Sequence, residues 1–151
     1  METVVTKSPE ETHAIAATFI QKHLLSLIVD SLPSSPVFCL QGDLGSGKTT
    51  FMKGVGEALG IKETIASPTF VIEKAYKITG HPFERLIHID AYRLSGGEEL
   101  MHLGFDEILK NPRHLVFIEW PENVEKVLPE NHATVHFRFI DENTREVKFE
   151  E

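Results

Sequence analysis

One cysteine in 151 residues rules out an internal disulfide. Cys39 lies in an apolar run and is expected to be a buried core thiol rather than a reactive one. The sequence contains no run of about 18 apolar residues, the length needed to cross a bilayer as a helix. The opening residues Met1-Glu2-Thr3-Val4-Val5 lack the basic and apolar regions of a signal peptide, so a cytoplasmic location with no membrane partner is expected. Bases are also few, with 15 Lys and Arg against 23 Asp and Glu, a net charge of −8. They are scattered along the chain, which disfavours direct, strong binding to a nucleic-acid backbone. The eight histidines show neither H-E-x-x-H nor Cys/His spacing, so no structural transition-metal site is expected. Repeats, low-complexity tracts and interdomain linkers are missing too, and the length suits a single domain over residues 1–151.

What is present is organised around Gly42-Asp43-Leu44-Gly45-Ser46-Gly47-Lys48-Thr49, which fits the phosphate-loop pattern G-x-x-x-x-G-K-[ST] without a mismatch. It stands between an apolar strand-like run, residues 37–40, and a helix-like run, residues 49–59, as the motif requires. Glycines there let the backbone approach a polyphosphate and turn successive N–H groups toward it. A following helix N-terminus adds unpaired donors. Lys48 would bring charge to the terminal phosphates, and the Thr49 hydroxyl would be a ligand for Mg2+, an ion that takes few protein ligands. The plainer alternative is a glycine-rich turn with a solvated lysine.

Along the chain, residues 3–6 read as a strand, and Ser8-Pro9-Glu10-Glu11 has the form of a capping box opening a helix. Ile15, Phe19, Ile20, Leu24, Leu27 and Ile28 mark its buried face. Met52, Val55 and Leu59 predict the core stripe of the helix after the loop. Gly54 and Gly56 on that helix suggest close packing, and Gly60 ends it. Residues 70–76 and 85–90 are expected to form a hairpin. Ser95-Gly96-Gly97-Glu98 has a second capping-box form, opening a short helix with Leu100, Leu103 and a further turn through Phe105, Ile108 and Leu109. Residues 114–119 predict a central parallel strand, residues 121–128 a short helix, and residues 133–140 and 145–149 two strands joined by a turn. Strands and helices alternating around a phosphate loop predict an α/β, three-layer P-loop NTPase-type sandwich with a mixed, mostly parallel sheet.

Two acids end apolar strands, where open α/β sheets bind ligands. Glu119 is expected to serve Mg2+ or its water shell, with a share in activating the attacking water, and Asp90 is the second candidate for either task. The bland alternative for each is a cap on the following turn or helix. Thr69, at a loop–strand junction, is either a sensor of Mg2+ and the terminal phosphate or a plain turn residue. Tyr92 and Trp120 follow the two acids and either face the site or a partner or, by default, pack as core or rim aromatics. Arg93 is placed to contact phosphate or partner, or to form a surface ion pair.

Four blocks in order, residues 42–51, Ser67-Pro68-Thr69-Phe70, His88-Ile89-Asp90-Ala91-Tyr92-Arg93-Leu94 and Phe117-Ile118-Glu119-Trp120-Pro121-Glu122, make the chain resemble the TsaE family, also called YjeE. These are small bacterial P-loop ATPases that support formation of threonylcarbamoyladenosine on tRNA. The resemblance implies that ATP and Mg2+ are held by Asp43, Leu44, Gly45, Ser46, Gly47, Lys48, Thr49 and Thr50, with Glu119 as the metal-site acid. It places Asp90 and Thr69 with Lys48 and Glu119 in the catalytic or switch region. By position, Thr12 and Arg145 become candidates around the adenine. It also implies TsaD and TsaB proteins as partners, with tRNA served indirectly. The main rival is a small-molecule P-loop kinase, which would use the same loop but should carry an arginine-bearing lid. Arg85, Arg93, Arg113, Arg138 and Arg145 do not cluster in sequence. A GTPase is disfavoured because no [NT]-K-x-D element is present. A non-hydrolysing, nucleotide-dependent interaction module is the third reading.

Overall fold

The computed structural model describes residues 2–24, 27, 29–68 and 71–150. Seven strands form one sheet in the order β1-β7-β6-β2-β5-β4-β3. The strands are β1 (Glu2–Thr6), β2 (Val37–Gln41), β3 (Glu73–Lys77), β4 (Arg85–Asp90), β5 (His114–Glu119), β6 (His132–Asp141) and β7 (Thr144–Glu150). The central strands β6, β2, β5 and β4 run parallel. The β3/β4 and β6/β7 hairpins and the β1/β7 pair add antiparallel flanks. This is the mixed α/β sheet expected from the sequence, with its parallel part at the centre.

Val37, Phe38, Cys39 and Leu40 of β2 are all buried, as a strand covered on both faces must be. Phe38 and Leu40 join one core cluster and Val37 and Cys39 the other, so the pleat splits the strand between two layers. The first layer is closed by α1 (Pro9–His23) and α2 (Lys48–Ala58), and the second by α3 (Gly97–His102), α4 (Phe105–Leu109) and a 3-10 helix, Pro121–Val127. Ser8 caps α1, its hydroxyl accepting from the Glu11 N–H at 3.1 Å, while Glu11 Oε2 accepts from Lys7 N–H at 2.8 Å. The two helices meet at Gly54, where a Cβ would stand 2.8 Å from both Ala16 Cβ and His13 Cα. Gly56 likewise faces Ile65, at 2.6 Å from its would-be Cβ. The expected close packing is therefore real, and Gly60 ends the helix with φ +72°.

Several boundaries differ from expectation. β3 begins only at Glu73, because Ile72 has φ 69° and turns the chain out of the strand. The segment from Ser95 is not a capping box. Gly96 is the N-cap, without a side-chain cap, and Ser95 bonds through its N–H to Glu99 Oε1 at 3.0 Å instead of to Glu98. Gly104, with φ +87°, separates α3 from α4, and Leu103 at that junction is exposed. The helix after Pro121 is 3-10 in form and kinked at Val124. α1 stops at His23, short of Leu27, which packs partly buried against the core; Ile28 lies outside the described residues.

Candidate functional site

The loop of residues 42–47 joins the carboxyl end of β2 to α2, and its glycines have separate tasks. At Gly42 a Cβ would lie 2.6 Å from the Phe137 carbonyl oxygen and from Ser46 Oγ, so only glycine fits beside β6. Gly45 and Gly47 have φ +77° and +109°, the left-handed values that fold the loop back toward the helix. The Phe51 N–H to Gly47 carbonyl bond, at 2.9 Å, is the first of the helix. The amides of Lys48, Thr49 and Thr50 therefore have no acceptor within α2, which leaves a donor-rich end at the loop.

A cleft of about 600 Å3 opens over this end. Leu44, Gly45, Gly47, Lys48, Thr49 and Thr50 line it from the loop side, and Asp90, Tyr92, Glu119 and Trp120 from the ends of β4 and β5. Thr12 and Arg145, the two residues suggested from position, also line it, with Thr6, Ser8 and Pro9 from the β1–α1 junction and Glu142 and Asn143 from the β6/β7 turn. Asp43 is exposed and Ser46 buried, and neither lines the cleft. Asp43 instead accepts the Ser46 N–H on its carbonyl at 3.1 Å. Ser46 Oγ is buried with no hydrogen-bond partner, an unsatisfied hydroxyl inside the phosphate loop. Arg93 is exposed and outside the lining. Thr69 and Phe70 lie outside the described residues.

The two acids are direct neighbours. Asp90 and Glu119 are register partners on the parallel strands β4 and β5, both 3% exposed. Asp90 accepts from Ser67 Oγ at 2.8 Å and from the Tyr92 N–H at 2.9 Å. Glu119 is held at 2.6 Å by His88, a residue that sequence reasoning gave no task. Alternation along β4 puts His88 and Asp90 on one face, the signal that could have found it.

Lys48 is 5% exposed, donates to the Gly42 carbonyl, and sits with its ammonium 3.9 Å from the Trp120 ring centroid. Burial pushes its pKa down from the usual lysine value, while Glu119, Asp90, Glu122 and Asp43 pull it back up. Trp120 reaches the lysine because its backbone is left-handed, φ 59° and ψ 50°, directly after Glu119. Its ring packs on Tyr92 at 5.0 Å, so the two aromatics are rim residues facing the cleft. From the opposite side, Arg145 Nε donates to the Gly45 carbonyl at 3.1 Å and one terminal nitrogen donates to Asp141 O at 2.6 Å and Thr144 O at 3.1 Å. Arg145 thereby ties the loop to the β6/β7 turn.

Hard oxygen donors, a hydroxyl at Thr49 and carboxylates at Asp90 and Glu119, suit Mg2+ rather than a soft metal. Among the described residues no cluster of three or more His, Cys, Asp or Glu side chains forms a protein cage for a metal. No helix among the described residues is long and apolar enough to cross a membrane.

The sequence model of the family described as "Threonylcarbamoyl adenosine biosynthesis protein TsaE" matches residues 6–147. A relative in Bacillus subtilis (strain 168), named as a tRNA threonylcarbamoyladenosine biosynthesis protein TsaE, is 36% identical over 144 residues, covering 95% of this chain and 82% of the relative. One of the same name in Treponema pallidum (strain Nichols) is 39% identical over 116 residues, covering 77% and 82%. The crystal structure of Bacillus subtilis YdiB superposes with a TM-score of 0.70 at 30% identity, covering 98% of this chain and 83% of that one. By the family match and by these identities over most of its length, the chain belongs to the TsaE family.

Proposed function

We propose that the chain, acting as one ATPase domain over residues 1–151, binds ATP and hydrolyses it with Mg2+. It does so within the tRNA threonylcarbamoyladenosine machinery of the cytoplasm, through TsaD- and TsaB-type partners and with tRNA served indirectly. One observation carries the catalytic part: Asp90 and Glu119 stand side by side at the ends of adjacent parallel strands, in the same cleft as Lys48 and Thr49. A phosphate loop without nearby acids would bind nucleotide and go no further.

Each residue then has a task. The loop amides and Lys48 bind the phosphates, for which Lys48 must leave the Trp120 ring. Thr49 and Glu119 would hold Mg2+, which supplies charge neutralisation at the phosphates when bound. Asp90, which accepts from Ser67 and the Tyr92 amide, would orient the attacking water and accept its proton. Thr12 and Arg145 line the same cleft and would contact the base. Thr69 would sense the terminal phosphate.

Membership of the TsaE family supports the biosynthetic setting, and the acidic balance of the chain supports action through partners rather than direct RNA binding. Hydrolysis measured with and without TsaD- and TsaB-type proteins, alongside threonylcarbamoyladenosine formation on tRNA, tests it. Partner-stimulated hydrolysis and tRNA modification, both lost in Lys48→Ala, are expected. Phosphorylation of a metabolite without support of tRNA modification would replace this reading by a small-molecule kinase.

A further inference from the structure

A fully buried imidazole stands behind Glu119. His88 is 0% exposed, lies opposite Phe117 in the β4/β5 register, and brings Nε2 to 2.6 Å from Glu119 Oε2. An ionised carboxylate offers only acceptors, so Nε2 carries the proton and donates it. The other ring nitrogen, Nδ1, has no hydrogen-bond partner. The ring's polar contact goes to Glu119, and an unsatisfied nitrogen is left in the core, where an apolar side chain would leave none.

Leu86, His88 and Asp90 share one face of β4, and Phe117 and Glu119 the corresponding face of β5. Each strand thus runs from a core residue to an acid at the cleft, with His88 interposed beside Glu119. A glutamate reaches the cleft on three rotatable bonds, and one hydrogen bond from a wedged ring removes most of that freedom.

We propose that His88 is a positioning residue for Glu119, its Nε2–H holding carboxylate oxygen Oε2 so that Oε1 is presented to the metal and phosphate end of the cleft. This rests on the reading that the cleft takes ATP with Mg2+. Outer partners of metal-binding carboxylates act by orienting them, and their loss typically costs about 10- to 100-fold in metal affinity or activity. A glutamine at position 88 can place an amide N–H near the place of Nε2, whereas asparagine is too short.

The test measures ATP affinity by calorimetry with Mg2+ and with EDTA, for the native chain, His88→Gln and His88→Asn, together with turnover. The native chain should bind ATP more tightly with Mg2+, and His88→Gln should keep that enhancement within about threefold. His88→Asn should lose about tenfold of it and of turnover, with its affinity in EDTA within about twofold of native. Equal behaviour of the two variants, or a parallel loss in EDTA, would assign His88 a structural role and overturn the proposal. A native chain that gains nothing from Mg2+ would remove the ATPase reading itself and the positioning role with it. If neither variant folds, imidazole nitrogen NMR of the native chain decides: Nε2 must stay protonated with Mg2+ and ADP bound, and an unprotonated Nε2 overturns the proposal.

Discussion

Lys48 and Trp120 form a cation–π pair, with the ammonium 3.9 Å from the indole centroid, inside the cleft where phosphates are proposed to bind. The contact is worth about 0.5–2 kcal/mol, and charge-assisted bonds to phosphate offset its loss. Trp120 is the chain's one tryptophan, so its fluorescence reports the departure of Lys48. ATP with Mg2+ should change the emission of the native chain, and Lys48→Ala should shift the free-state emission and abolish the response. An unchanged native spectrum at saturating ATP would show that the pair stays intact.

Cys39 is 1% exposed in β2, and burial, followed by the charge of Glu122, pushes its thiol up to about 12. The folded state thus holds the proton more tightly than the unfolded state, whose thiol has the ordinary value near 9.0. This contribution to stability is full below pH 9 and is lost as pH rises toward 12. At pH 8 a thiol reagent should label the native chain at least about 100-fold more slowly than the urea-unfolded chain. Equal rates would contradict the burial of β2.

Arg145 donates to Gly45, Asp141 and Thr144 at once, which a lysine cannot reproduce with one ammonium. Arg145→Ala should weaken ATP binding by about tenfold, equivalent to about 1.4 kcal/mol, and Arg145→Lys should recover little of it. Calorimetry checks both variants, and native affinity in Arg145→Ala would free the phosphate loop from the β6/β7 turn.

At Gly54 two effects oppose each other. Alanine gains about 1 kcal/mol of helix propensity, but its Cβ would sit 2.8 Å from the His13 backbone. Overpacking of this kind costs about 1–3 kcal/mol, more for a larger side chain. Gly54→Val should therefore lower the Tm by about 3–10 °C, whereas Lys53→Ala on the exposed side of α2 should leave it nearly unchanged. A Tm unaffected by Gly54→Val would mean that α1 and α2 are not in close contact.

The legible parts of this chain are those set by neighbours in sequence. The spacing of Gly42, Gly47, Lys48 and Thr49 is local, and the apolar runs before Asp90 and Glu119 announce strands with an acid at the end. The pairing of those acids needs the β4/β5 register, to which no short window has access. Alternation along β4 puts His88 on the face of Asp90, but its partner Glu119 lies 31 residues away and only the folded sheet joins them. Arg145 reaches Gly45 across 100 residues. Two local readings also failed on local grounds: Ile72 adopts a left-handed backbone that its β-branched side chain disfavours, and Ser95 prefers the carboxylate of Glu99 to a capping role.

If Glu119 and the phosphate loop form one Mg2+-dependent hydrolytic site, steady-state ATP hydrolysis by purified native chain and Glu119→Gln, each with Mg2+ and with EDTA, must show it. Native turnover should require Mg2+ and fall at least about 100-fold in Glu119→Gln, while ATP binding in EDTA is preserved. Turnover in Glu119→Gln equal to native, or native turnover indifferent to EDTA, would contradict it.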